Sequence, residues 1–342
     1  MNSVKRLKLS TDDTSNLNDI LYPVLPDDLI LDPIVIDVYV DTVCDTKKIS
    51  HVILELNSKL PMLELTHLKR MKNKEIILCP TSTKPAEVME LLSEKNFDLS
   101  LLRNNIHAVK VAKFPPKTRK QFEKMNKLWP CNFHPDKYIE KISTNKLFTQ
   151  IDLEKHSQYM LIAIDTAKFA KRHIGAVVVD PKIDSVVAIG FSQTNEGPCR
   201  HAAMVAVDNV AKTQKGGVWN SKPKHPSKTS GIPEIFLKHL QEKYSNVTFG
   251  SQEFRLKDEL IEPTDGPYLC TGYYVYLTRE PCVMCAMALI HSRVKRVFFG
   301  VNSTNGALET LCKIHTIKDL NHHYEVFGGL LSGICKSLDD TL

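Results

Sequence analysis

Residues 273–300, "YYVYLTREPCVMCAMALIHSRVKRVFFG", set the tightest limit on what this chain can fold into. Two strand-like apolar stretches, "YYVYLT" and "RVFFGVN", enclose "CVMCAMALIHSRV", whose apolar spacing is that of a helix. Pro281 fits the first turn of that helix or the residue just before it, so Cys282 and Cys285 share one turn at its start. A helix N-terminus helps keep thiols there ionised. Upstream, "EKHSQYMLIAIDTAKFAKR" reads as an amphipathic helix, "IGAVVVDP" and "SVVAIGFSQ" as strands joined by a short turn, and "HAAMVAVDNVAK" as a helix. The order α-β-β-α-(insert)-β-α-β predicts an α/β fold for residues 151–342, a mixed sheet covered by helices in an α/β/α layer arrangement. The insert, about 212–265, is rich in Lys, Pro, Ser and Gly and long for a loop; it reads as functional or disordered.

Residues 34–150 carry a smaller α/β domain and its exit. "VIDVYVDTV" alternates as a strand, "ISHVILELNSKL" and "LELTHLKRMK" read as helices, and "EIILC" as a strand. "KPAEVMELLSEK" is a helix with Pro near its first turn, and "IHAVKVAKF" a closing strand. The basic "PPKTRKQFEKMNKLW" leads out as a helix toward a break at "PCNFHP". Residues 1–33, polar and interrupted by Pro23, Pro26 and Pro33, read as a flexible tail.

Composition excludes several classes. The 342 residues suffice for two ordinary domains, and 42% apolar with 25% charged content is that of a soluble globular protein. No run of about 18 apolar residues offers a membrane span. The opening lacks the apolar region of a secretory signal, which points to the cytoplasm or nucleus; "KRLK" is too short to choose between them. Nine cysteines is an odd number for a disulfide framework. Cys44, Cys79, Cys131, Cys199, Cys270, Cys312 and Cys335 are scattered and read as small buried hydrophobes.

Structural zinc takes four protein ligands, and catalytic zinc three with one open position. His201, 81 residues ahead of Cys282, starts another predicted helix, so two helix N-termini can converge on one Zn2+ held by His201, Cys282 and Cys285. The segments "HAAM" and "TREPCVMCAMALIHSRVKRVFFG" resemble the zinc-dependent nucleobase deaminases, whose signature is H-x-E followed by P-C-x-x-C. Within that group the likeness is to the tRNA adenosine deaminases. "NGALETLCKIHTIKDLNHHYEVFGG" narrows it to the non-catalytic subunit of the eukaryotic heterodimeric enzyme, over residues 153–342. The resemblance implies hydrolytic conversion of wobble adenosine to inosine in tRNA, by a complex in which this chain pairs with a catalytic subunit.

Ala203 stands where that signature has its glutamate. The glutamate shuttles a proton to the leaving ammonia, help worth on the order of 10²- to 10⁴-fold, and a methyl group cannot supply it. Asp208 lies about 7.5 Å further along the predicted helix and about 140° around it. Glu280 precedes the Pro-Cys motif in active relatives as well, which leaves Glu196 as the candidate substitute acid. The residues therefore favour a pseudo-deaminase subunit. Two alternatives stay open: an active zinc deaminase with an unconventional acid, and a zinc-stabilised interaction module with no RNA role.

Two further features bear on partners. Lys110, Lys113, Lys117, Arg119, Lys120, Lys124 and Lys127 face only Glu123 within their stretch, and are the candidate RNA contacts. Phe114, Phe122 and Trp129 lie in or beside them and read as core, Phe114 through its strand and the others through a helix face. At the chain end, Asp339, Asp340 and the carboxylate of Leu342 are oxygen donors able to cap an open metal position.

Overall fold

A computed structural model describes residues 21–81, 84–214, 216–219, 231–251 and 268–341, the side chain of residue 341 excepted. Two compact units emerge: Pro26–Leu147, and residues 148–341 together with residues 21–25. The first described element, β1 (Tyr22–Pro23), belongs to the larger unit's sheet.

The smaller unit contains α1 (Asp27–Ile30), β2 (Val35–Thr42), α2 (Ile49–Lys59), β3 (Met71–Lys72), β4 (Glu75–Pro80), α3 (Pro85–Glu94), β5 (His107–Ala112), α4 (Arg119–Leu128) and α5 (Lys137–Ser143). Its sheet runs β3-β4-β2-β5 with every pairing antiparallel. From β2 to β5 the order is βαββαβ, the split arrangement of ferredoxin-like units. Strand alternation gives the sheet two apolar faces. Ile76 and Leu78 pack with Val52, Leu56, Val88 and Leu92 of α2 and α3, while Val38, Val40 and Ile77 pack with Met125 and Trp129 at α4. A capping box between Thr118 and Gln121 starts α4, so the basic helix is anchored with its apolar side on the sheet.

Two expectations fail here. "LELTHLKRMK" is not a helix: Leu65 and Leu68 are buried, and its backbone bonds to a distant segment, through Lys69 N–H to Pro130 O and Asn132 N–H to His67 O. The buried Arg70 guanidinium donates to the carbonyls of Leu60 and Ile77 and to Asn57 Oδ1, fixing the extended path. Nor are residues 21–33 a tail. They form β1 and α1, and the acids Asp28 and Asp32 pair with Lys117 and Lys124; residues 1–20 lie outside the described residues.

The larger unit adds α6 (Gln150–Phe169), β6 (Gly175–Asp180), β7 (Ser185–Phe191), α7 (Ala202–Thr213), α8 (Glu234–Lys243), β8 (Thr248–Phe249), β9 (Tyr274–Arg279), α9 (Val283–His291), β10 (Arg296–Val301), β11 (Glu325–Gly328) and α10 (Ser332–Thr341). The sheet order is β1-β11-β10-β9-β6-β7-β8. Strands β9, β10 and β11 are parallel, whereas β6 is antiparallel to both β7 and β9, so the sheet is mixed. One face carries Val275 and Leu277 into a core with Ala203, Ala206, Cys285 and Leu289 of α7 and α9. The other stacks Tyr276 on Phe298 (4.8 Å between centroids) and Phe298 on Phe327 (5.2 Å), against His156 of α6. Part of the insert is regular: α8 and β8 occupy it, and residues 220–230 and 252–267 lie outside the described residues. No described helix is long and apolar enough to cross a membrane. Cys131, Cys270 and Cys335 are buried as expected, but Cys44, Cys199 and Cys312 are exposed.

His156 sits under this aromatic stack with Nδ1 2.8 Å from the Tyr276 hydroxyl. Burial, seconded by Arg296, pushes its pKa down to about 4. The unfolded chain binds this proton near pH 6.5 and the folded chain does not. Its contribution is therefore complete above about pH 6.5 and is lost as the pH falls toward 4, a change on the order of 3 kcal/mol. Urea unfolding of wild type and His156→Gln between pH 7 and 4 should show a shallower acid decline in the variant; parallel curves would refute the assignment.

Candidate metal centre

The site begins with two chain turns that carry their residues to helix starts. His201 is the N-cap of α7 and Cys282 the N-cap of α9, both in extended backbone conformation, and each carbonyl accepts the first helical bond, from Val205 and Ala286. Helix α7 lies close on β7 because Gly190 has no side chain: a Cβ there would stand 2.2 Å from Ala202 O. Small Ala202, Ala203 and Ala206 complete the contact, all buried. On the other side Pro281 O accepts from Ala307 N–H, and Cys282 bridges Gly306, so a loop is laid against the cysteine turn.

These turns bring His201, Cys282 and Cys285 together, with their ligand atoms all within 4.8 Å of one another. Cys282 Sγ lies 3.5 Å from His201 Nδ1. A tetrahedral zinc with about 2.3 Å to sulfur and about 2.0–2.1 Å to nitrogen would separate such atoms by about 3.6 Å, so the spacing fits. The donor chemistry fits too. Cys285 is 2% exposed, and burial, with Cys282 beside it, pushes its thiol far up despite a bond to the Met204 backbone. Such a thiol ionises only against a cation. Bound zinc would be held by these three side chains.

Ala203 is 3% exposed, its methyl part of the core beneath the ligands. Among the described residues, the three candidate substitutes for the missing carboxylate are engaged elsewhere. Glu196 pairs with Arg200 at 2.6 Å on the exposed loop. Asp208 accepts from the N–H groups of Val218 and Trp219 and pairs with Lys212 at 2.8 Å. Glu280, 3% exposed, accepts from the N–H groups of Ser303, Leu308, Glu309 and Thr310 and from the Thr310 hydroxyl. Burial alone would raise its pKa, but these donors outweigh it and hold the carboxyl below its usual range. This role of Glu280 is not visible in sequence, except that Gly306 is obligatory: a Cβ would stand 1.9 Å from Glu280 Oε2.

The suggested cap is corrected. Asp339 is bound to Arg279, Asp340 is exposed, and neither joins the ligand cluster. The reason is that the chain end is helical: α10 packs with α6 and β10, so its carboxylates follow that helix. Leu342 lies outside the described residues. Among the basic residues, Lys110, Lys113, Lys117, Arg119, Lys120, Lys124 and Lys127 are all exposed. Lys117 and Lys124 are paired with Asp28 and Asp32, whereas the other five have no ion-pair partner among the described residues. Trp129 is core, 1% exposed and donating to Lys69 O, and Phe122 stacks on Phe133. Phe114 is not core: it lies beyond the end of β5, 53% exposed, with the Lys113 ammonium 5.3 Å over its ring.

A mixed α/β sheet with a histidine and a Cys-x-x-Cys turn converging from two helix starts defines a deaminase-type zinc-binding domain. Residues 153–301 match the family described as the cytidine and deoxycytidylate deaminase zinc-binding region, and residues 36–129 match the tRNA-specific adenosine deaminase TAD3 N-terminal domain. A zebrafish (Danio rerio) protein named "probable inactive tRNA-specific adenosine deaminase-like protein 3" is 36% identical, over 97% of each chain. The human protein of that name is 36% identical over 88% of this chain and 86% of its own. In Schizosaccharomyces pombe, "tRNA-specific adenosine deaminase subunit tad3" is 26% identical over 82% of this chain and 79% of its own. The chain belongs to the TAD3, or tRNA-specific adenosine deaminase-like protein 3, family.

Removing the Glu280 carboxylate would strand several N–H donors at the cysteine turn. Glu280→Ala should cost at least about 3 kcal/mol in unfolding free energy and speed amide exchange at Leu308, Glu309 and Thr310. Unchanged exchange at those three amides would show the loop is held by something else.

Proposed function

We propose that this chain is the non-catalytic subunit of a heterodimeric tRNA adenosine deaminase, holding Zn2+ for structure and positioning tRNA for a catalytic partner. The observation that carries this is the buried Ala203 methyl beside an assembled ligand set, with Glu196, Asp208 and Glu280 engaged elsewhere. When bound, zinc supplies a Lewis acid and lowers the pKa of a bound water; among the described residues no carboxylate joins the ligand cluster to move the proton. The names of the relatives support the same reading. Its place is the cytoplasm or nucleus, where tRNA is processed.

The metal's role here is to neutralise two thiolates between α7 and α9. Unpaired charges buried there would be costly, so the ligands are kept for folding after the acid is dispensable. The tRNA contact belongs to the exposed cations of the smaller unit. Lys110, Lys113, Arg119, Lys120 and Lys127 carry it, since Asp28 and Asp32 already engage the other two.

The purified chain should hold about one zinc, lost in Cys282→Ala, and should form no inosine in an anticodon stem-loop. Added to a catalytic subunit with an intact H-x-E, it should support inosine formation. Inosine made by this chain alone would sink the reading, as would equal zinc in both forms. Arg119→Glu with Lys120→Glu and Lys127→Glu should weaken tRNA binding by the complex and flatten its log–log salt slope by roughly 0.7–0.9 per lost phosphate contact. If affinity and slope are unchanged, the cluster is solvated surface only.

A further inference from the structure

The larger unit holds a row of aromatic rings that neither the metal ligands nor the central stack employs. Phe191, the last residue of β7, stacks on Phe236 of α8, with centroids 5.2 Å apart and planes at 17°. Phe236 meets Phe169 edge to face at 4.8 Å and 71°, and Phe169 lies over His239 at 4.4 Å and 22°. Phe236 is 8% exposed but Phe169 is 37% exposed. The row therefore starts at the sheet and ends with the exposed Phe169 and the half-buried His239 stacked on one of its faces.

Its place in the fold is specific. Gly175 pairs with Phe191, so the end of α6, the start of β6 and the end of β7 share one edge of the sheet. From that edge the chain runs on to His201, and β9, antiparallel to β6, leaves there toward Cys282. The aromatic row thus opens at the end of the sheet that carries the metal-ligand set.

Charge surrounds it on one side. Lys168 and Lys171 are exposed and Arg172 half-buried, and no acidic residue falls between Asp165 and Asp180. Two acids of α6 and α8 are paired, Asp165 with Lys243 and Tyr244 and Glu234 with Lys238, while Glu242, one turn from His239 on α8, is exposed. Lys171 also occupies a costly backbone position. Arg172 N–H reaches back to Ala167 O to close α6, and Lys171 takes φ +53°, where glycine is usual.

We propose that Phe169 and His239, with Lys168 and Lys171, form a platform that stacks an unpaired nucleotide of the tRNA and holds its phosphates. A rigid ring face accepts any base, and adjacent cations neutralise the backbone, the pattern of single-stranded RNA binding. The inference rests on the tRNA-positioning role above and adds a second RNA contact, on the metal-bearing unit.

The test uses the assembled heterodimer and an intact tRNA. Phe169→Ala should weaken binding by about 5- to 150-fold without changing the salt slope. Lys168→Ala with Lys171→Ala should lower the slope by about 1.5. Phe169→Trp should keep the affinity and show tRNA quenching of fluorescence beyond that of Trp129 and Trp219 in wild type, a readout that does not depend on the alanine variant folding. Unchanged affinity in Phe169→Ala, in a complex that binds tRNA, overturns the platform and leaves the subunit role standing. Loss of the catalytic subunit instead of tRNA makes the row a protein interface and overturns it too. A wild-type complex that does not bind tRNA removes both.

Discussion

The close approach of α7 and α9 is the constraint on which the larger unit depends. Each helix is fixed in its own way: α7 is held on β7 by Gly190 against Ala202 and Ala206, and the start of α9 by the loop stapled to its cysteine turn. Close-packed interiors leave little slack, so the 3.5 Å between Cys282 Sγ and His201 Nδ1 is a property of the whole layer. Ala203 suits this packing: its methyl fills a buried place in the small-residue contact. The ligand set therefore assembles without any help from the residue that would do the chemistry.

Two carboxylates explain what this site kept and what it lost. Glu280 satisfies four backbone donors of one loop, Ser303 and the consecutive Leu308, Glu309 and Thr310, each of which would be costly to leave bare. A catalytic glutamate at position 203 would satisfy none. A carboxylate with a structural task resists replacement, whereas one whose only task is proton transfer is free to go once a partner performs the reaction. That asymmetry also accounts for the thiols, since Cys285 is 2% exposed and its charge would be stranded without a cation.

Much of the fold was legible because local signals agreed with tertiary structure. T-x-x-D ahead of α6 and T-x-x-Q ahead of α4 are capping boxes, and the apolar periods of β6, β7 and β9 match their burial. The ligand set was legible because zinc demands particular residue types. The failures are cases where distant partners decide. Leu63, Leu65 and Leu68 are spaced closely enough to suggest a helix, yet the backbone there bonds to residues 130–132. Strand β1 is two residues long and becomes a strand only against β11. Helix α8 did carry a signal, Pro233 followed by Ile235, Phe236 and Leu240, but the Lys- and Pro-rich sequence around it obscured that period. Nor could sequence tell that Asp28 and Asp32 engage two of the seven cations, because the pairing spans about 90 residues.

The smaller unit limits what kind of RNA recognition it can perform. In RNA-binding modules with a βαββαβ sheet, bases stack on aromatic residues of the sheet's open face. Here α4 occupies that face, and Trp129 is 1% exposed with its indole N–H given to Lys69 O. The covered face thus gives no base access to Trp129, while Phe114, 53% exposed beyond the end of β5, stays outward. What remains outward is the polar side of α4 and the end of β5, with ammonium and guanidinium groups on flexible stems. Under the proposed function such groups position tRNA through its phosphates and read no sequence. Under that reading, selection of the nucleotide rests on rings and hydrogen-bonding groups outside the covered face, Phe114 among them. Orientation of the substrate and identification of the base are thus separate physical tasks, and under the proposed function the cations of this unit serve the first.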